Sequence, residues 1–135
     1  MRDPVQRRKI LTMLVTALVV VALWWVQSAQ SAQTGDPEAD PDSGLPIIQV
    51  ADLPPEAAET LSLIDAGGPY PYREDDGTFG NFEGVLADQD RGYYREYTVD
   101  TPGLDHRGAR RIVTGSNDEF YWTDDHYSSF SRIVR

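Results

Sequence analysis

The 135-residue sequence predicts an α+β domain in which one N-terminal helix packs on an antiparallel β-sheet, preceded by a signal peptide or signal-anchor helix. Three observations support this prediction. Basic residues precede an apolar run at the N-terminus, one later stretch has helical periodicity, and short strand-like segments separated by turn residues follow it. A helix followed by hairpin-linked strands is typical of a helix packed on one face of an antiparallel sheet.

The apolar run extends from Ile10 to Val26, and the residues ahead of it include Arg2, Arg7, Arg8 and Lys9. Its length lies between the roughly 7–15 residues of a signal-peptide core and the roughly 17–25 residues that span a bilayer. We therefore expect residues 1–33 to be a signal peptide, with a membrane anchor as the alternative. The domain is then extracellular, either secreted or held outside the membrane.

The rest of the chain divides into a linker and one domain. Residues 34–46 are rich in Gly, Pro, Asp and Ser, so we expect a disordered linker there. Residues 47–135 suffice for one hydrophobic core and not for two. The sequence has no cysteine, which excludes a disulfide and a cysteine-based zinc site. Its formal net charge of -10 is the wrong sign for a general nucleic-acid coat protein.

The helix is predicted from Asp52 onward, where a capping-type residue, two prolines and an early acid come together. The apolar residues at helical spacing are Ala57, Leu61 and Ile64. Gly67-Gly68-Pro69 ends the helix, and the segment from Tyr70 to Asn81 reads as a loop with one brief strand. The predicted strands are Val85-Leu86, Gly92 to Asp100, Ala109 to Thr114, Phe120 to Thr123 and Phe130 to Val134.

Alternation within the second of these strands places Tyr94, Glu96 and Thr98 on one face. In the next strand Arg110 and Arg111 are adjacent, so at most one of them shares the face of Glu96.

Few side chains of the domain can move protons near neutral pH. Its two histidines are His106 and His126. A carboxylate such as Glu96 and a histidine such as His126 form a minimal acid–base pair, and arginines beside them favour a phosphate. Each of these residues also has a structural interpretation without catalysis. Glu96 could be an exposed strand residue, Arg110-Arg111 a solvated pair, and Asp124-Asp125-His126 a turn. We predict no metal site, because consecutive residues seldom converge on one ion.

Several blocks of sequence, taken in order, decide between these alternatives. They are Leu53-Pro54-Pro55-Glu56-Ala57, Gly68-Pro69-Tyr70-Pro71-Tyr72, Asn81-Phe82-Glu83-Gly84-Val85-Leu86, Gly92-Tyr93-Tyr94-Arg95-Glu96-Tyr97-Thr98-Val99, Thr101-Pro102-Gly103, Arg107-Gly108-Ala109-Arg110-Arg111-Ile112 and Asp125-His126-Tyr127. The chain resembles the microbial guanyl-specific ribonucleases of the barnase superfamily in these blocks, and in particular the small secreted ribonucleases of Streptomyces. Blocks in this number and order make chance an unlikely source of the match.

The resemblance implies a role for each matching residue. Glu96 matches the general base, His126 matches the general acid, and Arg107 and Arg111 match the arginines that hold the scissile phosphate. Tyr127 matches a tyrosine that also touches the phosphate. The implied reaction is transesterification to a 2′,3′-cyclic phosphate followed by hydrolysis to a 3′-phosphate, without a cofactor. DNA is excluded as a substrate because the reaction needs the 2′-hydroxyl.

The resemblance also implies a guanine-binding loop in which Glu83 accepts hydrogen bonds from the base and Phe79 covers the ring. The loop residues are Phe79, Gly80, Asn81, Phe82 and Glu83. Gly80 and Phe82 depart from relatives that often have polar side chains there. The bridging cysteines of those relatives are absent, which forgoes roughly 4 kcal/mol of stability.

We therefore expect a monomeric enzyme acting on single-stranded RNA. The alternatives are a toxin-type ribonuclease neutralised by a small acidic, barstar-like inhibitor, and a catalytically inactive module that binds guanine nucleotides or RNA.

Overall fold

The computed structural model describes residues 14–22 and 38–135, and the chain divides into two compact units, Met1–Asp36 and Pro37–Arg135. In the first unit, residues 14–22 are helical with exposed side chains. Over the two described ranges, no helix is both long and apolar enough to cross a membrane. The remainder of the predicted signal peptide or anchor, residues 1–13 and 23–33, lies outside the described residues.

The second unit contains one helix and a six-stranded sheet. A 3-10 turn at Val50–Asp52 precedes helix α1, which extends over Pro55–Ala66. The strands are β1 (Ile47–Gln49), β2 (Gly77–Thr78), β3 (Tyr94–Thr98), β4 (Arg111–Gly115), β5 (Glu119–Thr123) and β6 (Ser131–Val134). Their order in the sheet is β1-β6-β5-β4-β3-β2.

The predicted α+β fold, with one helix packed on an antiparallel sheet, is confirmed. Strands β2 to β6 pair antiparallel, and the short edge strand β1, absent from the prediction, pairs parallel with β6. The predicted strand at Val85-Leu86 does not form. Leu86 is buried, but its backbone N–H and C=O bond the side-chain amide of Asn81. Val85 and Leu86 therefore lie in a loop, although two adjacent apolar residues are also typical of a strand.

Helix α1 ends where the sequence predicts, and it begins at Pro55, later than the predicted start at Asp52. Pro55 is its first residue, where a proline loses no helical hydrogen bond. The chain leaves the helix at Gly67, which has a φ of 72° and donates its N–H to the carbonyls of Leu63 and Ile64. Asp52 makes no cap, because it lies in the preceding 3-10 turn.

Both faces of the sheet are buried. One face packs on α1 in a cluster built from Leu53, Ala57, Leu61, Val99, Ile112, Trp122 and Ile133. The other face is covered by loops in a cluster built from Phe79, Leu86, Tyr94, Val113, Tyr121 and Phe130. Tyr94 and Val99 belong to different clusters, which confirms the predicted alternation along β3.

The predicted linker differs from the structure over its described half. Residues 38–46 form a turn in which Asp40 accepts hydrogen bonds from the N–H and hydroxyl of Ser43. The backbone N–H of Arg132 donates to the carbonyl of Pro46, which joins this turn to β6. A sequence of small and polar residues gave no apolar signal for this order, because the segment is held by backbone and side-chain hydrogen bonds.

Candidate active site

The register of the sheet brings an acid and an arginine to the same face. Glu96 of β3 pairs with Val113 of β4, and Arg111 of β4 pairs with Thr98 of β3. Residues two apart on a strand point to the same side, so Glu96, Thr98 and Arg111 share one face. Arg110 points the other way, and its Nη1 lies 3.7 Å from Glu56 of α1.

Glu96 is held between a tyrosine and an arginine. Its Oε2 accepts a hydrogen bond from the hydroxyl of Tyr127, and its Oε1 lies 3.6 Å from Nη2 of Arg107. The Glu96 side chain is only 19% exposed. Burial, followed by the hydrogen bond to Glu96, raises the pKa of Tyr127 above its ordinary value, so the phenol stays protonated and acts as a donor.

Arg107 is fixed by one hydrogen bond and lies between two acids. Its Nε donates to Oγ1 of Thr98 at 3.0 Å and lies 3.8 Å from Oε2 of Glu74. Its Nη2 is buried and has no hydrogen-bond partner among residues 14–22 and 38–135. The guanidinium therefore has a fixed position, and its Nη2 makes an ion pair with Glu96 without a hydrogen bond.

Arg111 is 2% exposed, which is unusual for an arginine. Its Nη1 donates to three backbone carbonyls, those of Arg107 at 3.4 Å, Gly108 at 3.0 Å and Arg110 at 2.7 Å. Its Nε is buried without a hydrogen-bond partner in the described part of the chain. One edge of the guanidinium thus holds the 107–110 loop, and another presents an unpaired donor.

His126 lies in a turn that projects its imidazole into solvent. Its φ is 53° and that of Tyr127 is 74°, both in the left-handed region. The turn is held by the carboxylate of Asp125, which accepts from the hydroxyl of Thr123 and from Ser129, and by the His126 N–H, which donates to the carbonyl of Ala109. The imidazole and the Tyr127 ring have centroids 4.8 Å apart. Residues 124–127 thus form a turn that carries the His126 side chain.

The loop from Phe79 to Glu83 is organised by Asn81. Asn81 has a φ of 52°, and its amide binds both the N–H and the carbonyl of Leu86. This leaves the loop tip outside the core, with Glu83 exposed and Phe82 95% exposed. The tip therefore offers an acid and an aromatic ring to solvent.

Phe79 lies at the root of the predicted base loop. It is 8% exposed, and its ring packs 4.7 Å from Tyr127, 5.9 Å from Phe130 and 6.4 Å from Tyr94, centroid to centroid. Phe79 thus connects the predicted base loop to Tyr127, and its role in covering the base stays a prediction. Phe82 is the ring with a free face.

The structure brings the predicted catalytic residues together around Glu96. Arg107 and Tyr127 contact the Glu96 carboxylate directly, Arg111 holds the loop that carries Arg107, and His126 is the residue before Tyr127. Glu83 lies on the separate loop tip. No group of three or more histidine, cysteine or acidic residues suited to a metal ion occurs within the described ranges.

Sequence reasoning missed two side chains that contact Arg107. Thr98 was seen only as a strand residue, although its position two residues after Glu96 puts it on the same face. Glu74 belongs to a run of loop acids, and no local pattern shows that the loop folds back onto β3.

Comparison with known proteins agrees with this geometry. A family model described as ribonuclease matches residues 36–134. The guanyl-specific ribonuclease St of Saccharopolyspora erythraea is 57% identical over 92 residues, covering 68% of this chain and 91% of the relative. The guanyl-specific ribonuclease Sa of Kitasatospora aureofaciens is 56% identical over 82 residues, covering 60% of this chain and 85% of the relative.

Solved structures of a further relative are also similar. A structure of ribonuclease Sa2 in complex with mononucleotides is 43% identical, with a TM-score of 0.66, and covers 74% of this chain and 98% of that one. A crystal structure of ribonuclease Sa2 with guanosine-2′-cyclophosphate is 47% identical, with a TM-score of 0.64, and covers 67% of this chain and 96% of that one.

Proposed function

The chain belongs to the ribonuclease family, and from this premise we propose that it is an endoribonuclease that cleaves single-stranded RNA after guanosine. The observation that carries the proposal is a pair of buried guanidinium nitrogens without hydrogen-bond partners in the described part of the chain, Nη2 of Arg107 and Nε of Arg111, on arginines that share the sheet face of Glu96 or contact its carboxylate. Buried N–H groups are almost always paired, so two such donors on cations indicate an anionic ligand. A phosphate matches them in charge, and two of its oxygens can accept hydrogen bonds from a planar guanidinium in a bidentate geometry.

The first step uses Glu96 as a base. Glu96 takes the proton of the ribose 2′-hydroxyl, and the 2′-oxygen attacks the adjacent phosphorus. Negative charge then grows on the phosphate oxygens, where Arg107 and Arg111 stabilise it. Because these arginines supply the charge and the substrate supplies the nucleophile, the chain's own residues account for the step without a metal.

The second proton transfer uses His126 as an acid. The imidazole is exposed at the rim of the site, where it can protonate the departing 5′-oxygen. This gives a 2′,3′-cyclic phosphate, which water then hydrolyses to a 3′-phosphate as Glu96 and His126 exchange roles. The Tyr127 hydroxyl, bonded to Glu96, also lies within reach of the phosphate.

Guanine is read at the loop tip. The Glu83 carboxylate accepts hydrogen bonds from the ring N–H and the exocyclic amine of guanine, donors that adenine does not present in the same place. The free ring of Phe82 stacks on the base, since aromatic side chains cover unstacked bases in single-stranded RNA.

A single experiment tests the proposal. The full chain, and its segment from residue 38 onward, are incubated with guanylyl-(3′–5′)-cytidine and adenylyl-(3′–5′)-cytidine in excess chelator. We expect cleavage of the guanylyl dinucleotide, through a cyclic phosphate detected by chromatography, and little of the adenylyl one. Guanine-nucleotide binding without turnover would instead support the inactive-module alternative and contradict the enzyme.

The role of His126 is separable from that of His106, which accepts a hydrogen bond from the N–H of Gly108 and is also exposed. We expect His126→Ala to remove the fall of activity at high pH together with most of the rate, and His106→Ala to preserve the bell shape of the profile. The reverse outcome would assign the acid to His106.

We also propose that the domain acts outside the cell. The basic and apolar order of residues 1–33 supports export, and intact-mass analysis of the culture medium and the membrane fraction distinguishes secretion from anchoring. The barstar-like inhibitor, the monomeric state and membrane attachment stay predictions.

A further inference from the structure

Arg107 is shared by two carboxylates, and only one of them has a role in the proposed reaction. Glu96 lies 3.6 Å from Nη2, whereas Glu74 lies 3.8 Å from Nε. The Glu96 side chain is 19% exposed and the Glu74 side chain 43%. A second, more exposed acid therefore lies on the other side of the arginine that the proposed function assigns to the phosphate.

The position of Glu74 is fixed by the turn that carries it. The carbonyl of Glu74 accepts a hydrogen bond from the N–H of Gly77 at 3.1 Å, which closes the turn. The N–H of Asp76 donates to the carbonyl of Glu96 at 2.9 Å. The backbone of Glu74 is therefore tied to the catalytic strand itself, so its proximity to Arg107 follows from the fold and not from a mobile side chain alone.

The other two acids of this turn are occupied elsewhere. Asp75 accepts hydrogen bonds from the backbone N–H groups of Thr98 at 2.7 Å and Tyr72 at 3.2 Å. Asp76 accepts one from the hydroxyl of Tyr97 at 2.9 Å and lies 3.9 Å from Arg95. Glu74 is the acid of the turn that faces Arg107.

We propose that Glu74 is a positioning residue that holds Arg107 against the site and disfavours the doubly charged product there. The inference rests on the proposed function. The scissile phosphodiester carries one negative charge, whereas a 3′-phosphate carries nearly two above a pH of about 6. A phosphate bound by Arg107 lies near Glu74, so the repulsion is larger for the product than for the substrate, and Glu74 promotes product release.

The expected size follows from Coulomb's law. One additional charge at about 6 Å, in surroundings between protein surface and water, changes a binding constant about three- to tenfold. The repulsion between Glu74 and the second negative charge of the 3′-phosphate should have this full size. For the substrate, loss of the repulsion from Glu74 is partly offset by loss of its hold on Arg107, so we expect the KM to change by less than about twofold.

The test compares Glu74→Gln with wild type. The inhibition constant of guanosine 3′-monophosphate and the KM for guanylyl-(3′–5′)-cytidine are measured at about pH 7.5 and about pH 5. We expect the variant to bind the 3′-monophosphate about three- to tenfold more tightly at the higher pH, with a smaller gain at the lower pH, where the phosphate has lost its second charge. Asp76→Asn, which removes one charge from the same turn, is the matched control and should give no comparable gain.

Two outcomes overturn the inference. One is unchanged or weaker binding of the 3′-monophosphate by Glu74→Gln. The other is an equal change in the inhibition constant and the KM at both pH values, which would indicate a structural role. Calorimetric titration measures binding of the 3′-monophosphate without turnover. If wild type did not cleave the guanylyl dinucleotide, the proposed function would be wrong, and the titration would still test the effect of Glu74 on phosphate binding.

Discussion

The hydroxyl of Tyr127 is expected to hold the Glu96 carboxylate in position for the first step. Tyr127→Phe removes the hydrogen bond to the Glu96 carboxylate but keeps the ring that packs 4.7 Å from Phe79. A hydrogen bond to a charged group contributes about 1.5–3 kcal/mol, and roughly 1.4 kcal/mol corresponds to a tenfold change in rate. Loss of the bond should therefore lower kcat/KM about 10- to 100-fold.

The assay is kcat/KM for guanylyl-(3′–5′)-cytidine at about pH 7, since this ratio reports transition-state stabilisation relative to the free enzyme. Tyr93→Phe is a matched control, because it removes a tyrosine hydroxyl bonded to another acid, Glu119, which is not part of the proposed site. Its kcat/KM should stay close to that of wild type. An unchanged kcat/KM for Tyr127→Phe would refute the reasoning, because it would mean that the hydroxyl does not position Glu96.

Three further outcomes are expected. Glu83→Ala should lower kcat/KM about 10²- to 10⁴-fold for guanylyl substrates and much less for adenylyl ones; an unchanged ratio would contradict the recognition role. A Cβ at position 80 would lie 2.5 Å from the Phe82 ring, so Gly80→Ala should displace that ring. Gly80→Ala and Phe82→Ala should therefore raise the KM by similar factors, and the double variant should raise it no further. Additive effects of the two substitutions would argue against stacking of Phe82 on the base. Hydrogen bonds from Ser129 lower the pKa of Asp125, so its stabilisation is present above its unfolded value near 3.8 and is lost as the pH falls through its folded value. Asp125→Asn should therefore cost about 0.5 kcal/mol at neutral pH and progressively less as the pH falls below the unfolded value, with Asp124→Asn as control, and a deficit that does not change with pH would exclude the carboxylate as its source.

The fold was predictable where the signals are local. Helix α1 has prolines at its start and Gly67 at its end, and β3 contains tyrosine and threonine between turn residues, so each element is specified within a few residues. The alternation of side chains along a strand also correctly separated Arg111 from Arg110. Strand β1 had no such signal, because it is three residues long and its partner, β6, lies at the other end of the domain.

The site was predictable from matching blocks of sequence and not from contacts. Those blocks identify Glu96, Arg107 and Tyr127. They do not show that Arg107 and Tyr127 both contact the Glu96 carboxylate. They also do not distinguish two nearby aromatic residues, of which Phe79 is in the core and Phe82 is outside it. Which ring is buried depends on how the Asn81 amide closes the loop, and that is a matter of tertiary structure.

The acidity of the chain constrains how it can hold RNA. The full chain has a net charge of -10, which repels a polyanion at long range, so attraction must come from cations close to the phosphate and screened little by solvent. Arg111 meets this requirement because it is buried, and its Nη1 is already bound to three carbonyls of the loop that carries Arg107. Lysine has no planar fork with which to bind the loop and a phosphate at once. The observed and the proposed function of Arg111 are thus inseparable, since the side chain that we propose to stabilise charge on the phosphate also fixes the loop that carries Arg107.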